Sequence, residues 1–273
     1  NRETLVFRGN STTGDFFVDG IRDDVQTYRD LYNIERLEVF KGPNAMVFGR
    51  GGVGGLINRV TKVADWTPHR AFRLEGGSFE HKRAQFDLGT PLNDAVAVRL
   101  TGVYQDSGSY RDGVNYNRWG FNPTVTFKLG EATTITAGYE HFKDDRIADR
   151  GVPARPGAST TSIGGPLDTP RGQFFGDPAG SPTYTNTDAG TLYIEHRFSD
   201  AVTLRNRTRY ADYAKLYRNV FPGAVNAAGT SVSISAYDNA MQRRNLINQT
   251  DLNAEFSTGS INHTRLCCKN REA

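Results

Sequence analysis

The chain has 273 residues, and its charge is nearly balanced: 33 Lys and Arg face 30 Asp and Glu, for a formal net charge of +3. No window approaches the roughly 18 consecutive apolar residues of a membrane-spanning helix, and an aromatic content of 11% argues against a disordered chain. A helical membrane protein is therefore excluded. A membrane β-barrel stays open, because only every second residue of a barrel strand faces lipid.

The first segment, residues 1–65, reads as a small α/β domain of short elements. Its β-type runs are Glu3–Arg8, Phe16–Val18, Arg36–Phe40 and Leu56–Lys62. Before the last of these, Gly42-Pro43 opens a predicted helical turn over Asn44–Phe48. The pattern is not that of a doubly wound sheet.

From about Arg70 the sequence alternates with period 2, which predicts about nine antiparallel strands. Val98 and Leu100 share one face with Phe127 and Leu204, and this face is expected to meet lipid. The opposite face, with Arg99 and Thr126, is expected to tolerate polar substitution. The ninth strand begins at Ile261–Thr264, and residues 266–273 break the alternation.

The connections between these strands alternate in length. Long links are predicted at about 107–117, 145–188 and 218–240, with tight turns between them. Short turns on one side and long loops on the other are typical of a transmembrane β-barrel. A soluble sandwich rarely carries a loop of about 40 residues.

Motifs for catalysis are weak in this sequence. Gly49–Gly54 matches G-x-G-x-x-G, but the strand-like run that follows is not the helix that a dinucleotide site needs, so we interpret the glycines as a tight backbone crossing. The five His residues are scattered, the adjacent Cys267 and Cys268 cannot form a disulfide framework, and no G-x-S-x-G occurs. We expect no enzyme, no metal bound directly by the protein and no cofactor. Nucleic-acid binding is weakly supported because acidic residues nearly balance basic ones.

The first segment carries a long ordered pattern. It runs through Phe17-Val18-Asp19-Gly20, Ile34-Glu35-Arg36-Leu37-Glu38-Val39-Phe40-Lys41-Gly42-Pro43 and Gly49-Arg50-Gly51-Gly52-Val53-Gly54-Gly55-Leu56-Ile57-Asn58. This pattern resembles the plug domain of TonB-dependent outer-membrane siderophore receptors, and residues 70–264 resemble the first part of the same family's barrel. Catecholate-type members are the most similar.

The resemblance implies a mainly β fold: a partial plug domain at residues 1–65, then the first nine or so antiparallel strands of a barrel of about 22 strands at residues 66–273. The family has an N-terminal TonB box, which this chain lacks. Together with the off-pattern residues 266–273, this leads us to expect a truncated piece of a receptor.

The implied function is TonB-dependent uptake of a ferric siderophore across the bacterial outer membrane. Iron arrives inside the siderophore as substrate. The implied partners are the ferric siderophore, TonB of the inner-membrane energising complex and outer-membrane lipid, and a monomer is expected.

A ferric catecholate is anionic, so Arg and aromatic residues of the plug apex and outer loops are its expected contacts. These candidates are Arg22, Tyr28, Arg29, Arg150, Arg155, Arg171, Phe174 and Phe175. A second set is expected where the plug meets the barrel wall, with plug charges facing wall charges. It consists of Glu35, Arg36, Glu38, Arg205 and Arg207.

Two other functions stay open from the residues alone. One is a passive porin or adhesin-like barrel, against which the globular first segment argues, because a porin has no such plug. The other is a soluble all-β carbohydrate-binding module, which membrane fractionation would distinguish.

Overall fold

The computed structural model describes residues 4–7, 9–12, 15–23, 25–42, 48, 54–155 and 164–272. Within these ranges the structure describes fifteen β-strands. The first segment holds β1 (Leu5–Phe7), β2 (Asn10–Thr12), β3 (Phe16–Val18), β4 (Ile21–Arg22), β5 (Ile34–Phe40) and β6 (Leu56–Thr61). The second holds β7 (His69–Gly77), β8 (His81–Pro91), β9 (Val96–Gly108), β10 (Asn115–Leu129), β11 (Thr133–Ile147), β12 (Pro182–Ser199), β13 (Val202–Val225), β14 (Val232–Thr258) and β15 (Ile261–Glu272).

The first segment forms a four-stranded sheet in the order β4-β3-β6-β5, with β1 and β2 as a separate pair. The turn between β3 and β4 is closed by side chains. Asp19, at a positive φ of 50°, accepts hydrogen bonds from the backbone amide and hydroxyl of Thr61 at 2.8 and 2.7 Å. Asn58 accepts one from the Gly20 amide at 2.9 Å. Gly20 has a φ of 80°, and a Cβ there would stand 3.1 Å from Arg207, so glycine suits both the turn and the close approach of β13.

The second segment forms one nine-stranded sheet in which every strand pairs antiparallel with its neighbours in sequence. One face, the inner face, packs against the first segment. On β9 this face carries Arg99 and Thr101, which are 5% and 1% exposed, whereas Leu100 between them is 38% exposed. The facing therefore matches the predicted alternation.

The strands extend beyond the predicted ones at the long-loop end of the sheet. The predicted link at 218–240 shrinks to residues 226–231, because β13 and β14 stay paired from Val202 with Ala254 to Val225 with Val232. In this part of the hairpin both faces carry polar residues, so the period-2 signal disappears while backbone pairing continues. The other two long connections are likewise shorter than predicted, at residues 109–114 and 148–181.

The end of the chain also differs from its sequence pattern. Residues 266–272 lie off the alternation, yet they continue β15 in register with β14, with Leu252 opposite Cys267 and Ile247 opposite Glu272. Ladder hydrogen bonds join backbone groups, so the open edge of β14 can pair with a strand whose side chains do not alternate.

Three features predicted from the sequence lie partly or wholly outside the described residues: the start of the run at Glu3–Arg8, the helical turn at Asn44–Phe48 and the glycine motif at Gly49–Gly54. Among the described residues, no helix has the length and hydrophobicity needed to cross a membrane.

Two small apolar clusters join the first segment to the inner face. Tyr32 stacks on Phe142 with ring centroids 6.2 Å apart, and Val103 completes this cluster. Val25 packs with Ala189, Ala211 and Tyr213 of β12 and β13. Val25 and Tyr32 both belong to the loop between β4 and β5. In these two clusters it is therefore this loop that makes apolar contact with the sheet.

Candidate functional site

The loop of residues 25–33, called the plug loop below, is folded around Arg29. Its guanidinium donates to the Asp23 carboxylate at 2.8 Å and to the carbonyls of Val25 and Thr27 at 2.5 and 3.3 Å. The Arg29 side chain is 12% exposed. The sequence predicts that Arg29 meets a ligand, but it is turned inward, because acceptors of its own loop surround it, and it holds the loop together.

Asp30 ties the plug loop to the sheet. Its carboxylate forms ion pairs with Arg83 of β8 at 2.7 Å and with Arg118 of β10 at 3.0 Å, and its side chain is 4% exposed. Burial alone would raise the pKa of this carboxyl, but the hydrogen bonds and charges of the two Arg residues outweigh burial and hold the pKa below its usual value. Asp30 is thus a charged anchor between the loop and two strands.

Arg118 also connects Asp30, through Asp144 and Arg146, to the ring of Tyr28. Its Nε lies 3.1 Å from Asp144, and Asp144 also receives two hydrogen bonds of 2.6 Å from Arg146. The guanidinium carbon of Arg146 lies 3.7 Å from the centroid of the Tyr28 ring. A chain of alternating charges thus ends on an aromatic ring of the plug loop.

A second guanidinium–aromatic contact lies at the same end of the sheet. Arg150 lies 3.8 Å from the Phe221 ring centroid, and its Nε donates to the hydroxyl of Tyr217 at 3.2 Å.

The Tyr28 hydroxyl stays neutral. Burial raises its pKa, and the proximity of Tyr217 raises the pKa further, whereas the charge of Arg146 lowers it by less.

These residues form one group at the long-loop end of the inner face, called the mouth cluster below. Its members are Tyr28, Tyr116, Arg146, Arg150, Tyr217 and Phe221. Arg146 is paired with Asp144, whereas Arg150, within the described part of the chain, has no carboxylate in ion-pair distance. The cluster can therefore offer positive charge beside flat aromatic surfaces, which suits an anionic, aromatic ligand.

Of the eight residues predicted to meet a ligand, the structure brings Tyr28 and Arg150 into this cluster. Arg22 is exposed on β4. Arg155 donates to the carbonyl of Pro166 at 2.9 Å, and Arg171 lies 5.2 Å from the Tyr110 ring centroid. Both of these Arg residues thus make contacts elsewhere on the long connections. In the same connection Phe174 is half-buried and Phe175 is buried.

Two of the five residues predicted at the plug–wall contact cross between the segments. Glu35 forms an ion pair with Arg99 at 3.2 Å, and Arg207 donates to the backbone carbonyl of Asp19. The first contact joins a plug charge to a wall charge other than Arg205 and Arg207, and in the second Arg207 meets a plug carbonyl instead of a plug charge.

The other three residues of that set pair within their own segment. Arg36 pairs with Glu38 along the same strand at 2.8 Å, and Glu38 also accepts from Asn58 at 2.7 Å. Arg205 pairs with Glu195 on the adjacent strand at 2.8 Å. Residues two apart on one strand share a face, so a neighbour in the sheet is often the nearest opposite charge.

Several contacts between the segments were not predicted. Asn33 donates to Glu140 at 3.0 Å, the Tyr213 hydroxyl to Asp23 at 3.2 Å, and Lys215 to the carbonyl of Gln26 at 2.6 Å. All of the sheet residues involved lie on inner-face positions of their strands. The alternation therefore identifies them as a set but does not say which plug atom each one meets.

Metal ligation by the protein has no support in the geometry. In the ranges that the structure describes, no group of three or more His, Cys, Asp or Glu is arranged to hold a metal ion. An aromatic and guanidinium cluster binds an anion as a whole, rather than a bare cation.

The sequence and the fold both match known proteins. Residues 1–56 match the family described as the TonB-dependent receptor plug domain. The chain is 31% identical to the catecholate siderophore receptor Fiu of Escherichia coli K12, over 96% of this chain and 36% of that protein. It is 26% identical to PiuA of Acinetobacter baumannii, a probable TonB-dependent siderophore receptor, with the same coverage. The chain thus spans about a third of the length of these curated relatives.

Solved structures agree with the sequence matches. The open form of the ferric-catecholate import receptor Fiu from Escherichia coli K12 superposes with a TM-score of 0.85 at 29% identity, over 99% of this chain and 44% of that one. The siderophore receptor PiuA from Acinetobacter baumannii gives a TM-score of 0.88 at 24% identity, over 100% of this chain and 40% of that one, which shows a shared fold. These relatives are receptors and not enzymes.

Proposed function

Because the chain belongs to the TonB-dependent receptor family of outer-membrane β-barrel proteins, we propose that it supplies the plug and first wall strands of a receptor for ferric siderophore uptake. Residues 1–65 are assigned to the plug domain and residues 66–273 to the barrel. The outer face of the nine strands then meets outer-membrane lipid, and TonB is the partner that supplies energy to the plug.

The mouth cluster is the observation that supports a siderophore ligand. A ferric catecholate is a negatively charged complex with aromatic rings on its surface. Arg150 carries an exposed guanidinium against Phe221, and Arg146 lies over Tyr28 of the plug loop. Guanidinium groups combine charge with a flat face, so they can pair with the oxygens of the complex and stack on its rings.

Contact through Tyr28 would couple ligand binding to the plug. Tyr28 lies two residues before Asp30, which is the anchor of the plug loop on β8 and β10. A ligand on Tyr28 and Arg146 therefore touches the same chain of charges that holds the loop to the wall. The iron enters as part of the substrate, so binding needs no metal ligand from the protein.

Release of the ligand requires the plug to move against the wall. Most contacts described between the two are hydrogen bonds and ion pairs, such as Glu35 with Arg99 and Lys215 with the Gln26 carbonyl. Water can replace such partners as the plug shifts, and the apolar clusters described between plug and wall are the two small ones around Tyr32 and Val25. A pull on the plug by TonB is the expected trigger.

The test is an affinity measurement on the full-length receptor that contains this sequence. A ferric tris-catecholate complex is titrated while tryptophan fluorescence is recorded. Arg150→Gln should weaken binding about ten- to a hundredfold, which is the value of a charge-assisted contact of roughly 1.5–3 kcal/mol.

Two further variants make the result specific. Arg150→Lys keeps the charge but loses the flat face, so it should recover only part of the affinity. Arg197→Gln is the matched control, since Arg197 is an exposed Arg at the short-turn end that donates to the Glu131 carbonyl. Equal affinity of wild type and Arg150→Gln would contradict the mouth cluster as the binding site.

A further inference from the structure

Arg111 is a buried cation outside the mouth cluster. It lies in the connection of residues 109–114 between β9 and β10, and it is 4% exposed. Its Nε stands 2.6 Å from the Asp149 carboxylate, and its Nη1 donates to the backbone carbonyl of Gln173 at 2.6 Å. A single guanidinium thus holds residues near both ends of the long connection at 148–181.

Neighbouring contacts strengthen the same junction. The backbone amide of Asp112 donates to the carbonyl of Gly172 at 2.7 Å. The guanidinium carbons of Arg171 and Arg111 lie 5.2 and 5.4 Å from the centroid of the Tyr110 ring. The connection at 109–114 therefore binds the later end of the long connection by a backbone bond, a side-chain bond and aromatic contacts.

The earlier end has a direct consequence for the mouth cluster. Asp149 precedes Arg150, so the ion pair with Arg111 fixes the backbone from which the Arg150 side chain reaches Phe221 and Tyr217. Without that ion pair, nothing described on the side chain of Asp149 holds this point of the connection to β9 and β10. Ala148 stays tied to the sheet, because its amide donates to the Ser181 carbonyl at 2.8 Å and its carbonyl accepts from Asn219 at 2.7 Å, so the position of Arg150 then depends on this backbone point and on its own two contacts.

We infer that Arg111 is a positioning residue for ligand capture: it clamps both ends of the connection at 148–181 and thereby holds Arg150 in the mouth cluster. The inference rests on the proposed function, because it concerns the affinity for the same ligand. Arg111 itself touches no ligand, since it is buried beneath the connection. Asp149 is 24% exposed, so loss of Arg111 leaves this carboxylate able to meet water while the sheet stays paired.

The experiment uses the full-length receptor and two measurements. Affinity is taken from titration with a ferric tris-catecholate complex. Amide hydrogen exchange without ligand is followed in peptides that contain residues 149–155 and 164–175. The variants are Arg111→Gln, Asp149→Asn and the double variant of Arg111→Gln with Arg150→Gln. Arg218→Gln is the matched control, because Arg218 forms an exposed ion pair with Asp238 at 2.7 Å at the same end of the sheet.

The clamp predicts a specific pattern. Arg111→Gln should speed exchange in both peptides and Asp149→Asn in the peptide of residues 149–155, and each should weaken binding about tenfold, while Arg218→Gln changes neither exchange nor binding. Adding Arg111→Gln to Arg150→Gln should weaken binding no further, because both changes remove the same contact. A merely structural role of Arg111 would give losses that add.

Two results would overturn the inference: unchanged exchange in Arg111→Gln, or full additivity of the double variant. If the wild-type receptor fails to bind the complex, the proposed function is wrong, and the exchange data still decide whether Arg111 clamps the connection. Failure of the proposed function and failure of the Arg111 inference can therefore be told apart.

Discussion

The guanidinium of Arg146, at the end of β11, lies over the ring of Tyr28, with its central carbon 3.7 Å from the ring centroid. The contact joins the plug loop to the wall at the mouth, and Asp144 fixes the other side of Arg146 through two bonds of 2.6 Å. At the mouth the plug loop is thus held by an aromatic contact at Tyr28 and by the two ion pairs of Asp30.

Substitutions of Tyr28 separate its ring from its hydroxyl. Tyr28→Phe keeps the aromatic face for Arg146, so the affinity for a ferric tris-catecholate complex should stay within about twofold of wild type. Tyr28→Ala removes the aromatic ring and should weaken binding about tenfold, which lies between the values of an exposed and a fully desolvated cation–aromatic contact. The measurement is fluorescence titration of the full-length receptor, and equal losses in the two variants would contradict the stacking role.

Removal of the Asp30 charge tests the anchor. Asp30→Asn takes the buried carboxylate away from Arg83 and leaves Arg118 with Asp144 alone, and breaking one side of a buried ion pair costs up to about 3–5 kcal/mol. Amide exchange in the plug loop should therefore rise, as measured by mass spectrometry on the intact receptor. Asp94→Asn, in the exposed turn between β8 and β9, is the control that should leave exchange unchanged. Wild-type exchange in Asp30→Asn would show that the loop is held by its apolar contacts instead.

The same anchor should respond to acid. The pKa of Asp30 lies below its ordinary value of 3.8, because the two Arg residues favour the charged form against burial. A depressed pKa stabilises the attached loop above pH 3.8, and this contribution is lost as the pH falls through the lower value of the attached state. Loop exchange, corrected for the intrinsic rate, should be constant from pH 7 to about 5 and rise only below about 4. Asp30→Asn should lose this rise.

Substitution of Arg29 tests its role inside the plug loop. Arg29→Ala removes the bonds to Asp23, Val25 and Thr27, so it should raise plug-loop exchange without ligand and weaken binding only as a consequence. A fall in affinity for Arg29→Ala with unaltered exchange would return Arg29 to the ligand site.

The outer face of the sheet gives a prediction on insertion. Leu100→Arg places a charge among lipid-facing side chains and should cost about 2–4 kcal/mol if the residue lies near the membrane midplane. Leu100→Met is the conservative control, and heat-modifiability of the extracted receptor reports insertion. Unimpaired insertion of Leu100→Arg would reverse the assignment of the faces.

Arg99 shows how far the alternation alone could go. The sequence placed it correctly on the inner face, but it was expected to tolerate polar substitution. It instead pairs with Asp87 at 2.8 Å and Glu35 at 3.2 Å at 5% exposure, so Arg99→Gln should be costly. Periodicity reports which side a residue faces, whereas the partner across the interface depends on how plug and wall meet in three dimensions.

The same limit explains the site. Tyr28 and Arg150 could be chosen because aromatic and Arg residues in loops suit an anionic ligand. Arg146 and Phe221 also lie in predicted links, at 145–188 and 218–240, but nothing in the pattern distinguishes them from the other Arg and aromatic residues there, and Tyr217 precedes the second of these links. The role of Arg29 in holding the plug loop together could not be predicted either, because its acceptors are mostly backbone carbonyls, which leave no pattern in the sequence.

The most direct test is to locate the iron. Crystals of the full-length receptor soaked with a ferric tris-catecholate complex would show an anomalous peak at the iron absorption edge. We expect that peak at the mouth, between the guanidinium groups of Arg146 and Arg150 and above the ring of Tyr28. A peak elsewhere on the receptor, with the mouth cluster empty, would contradict it.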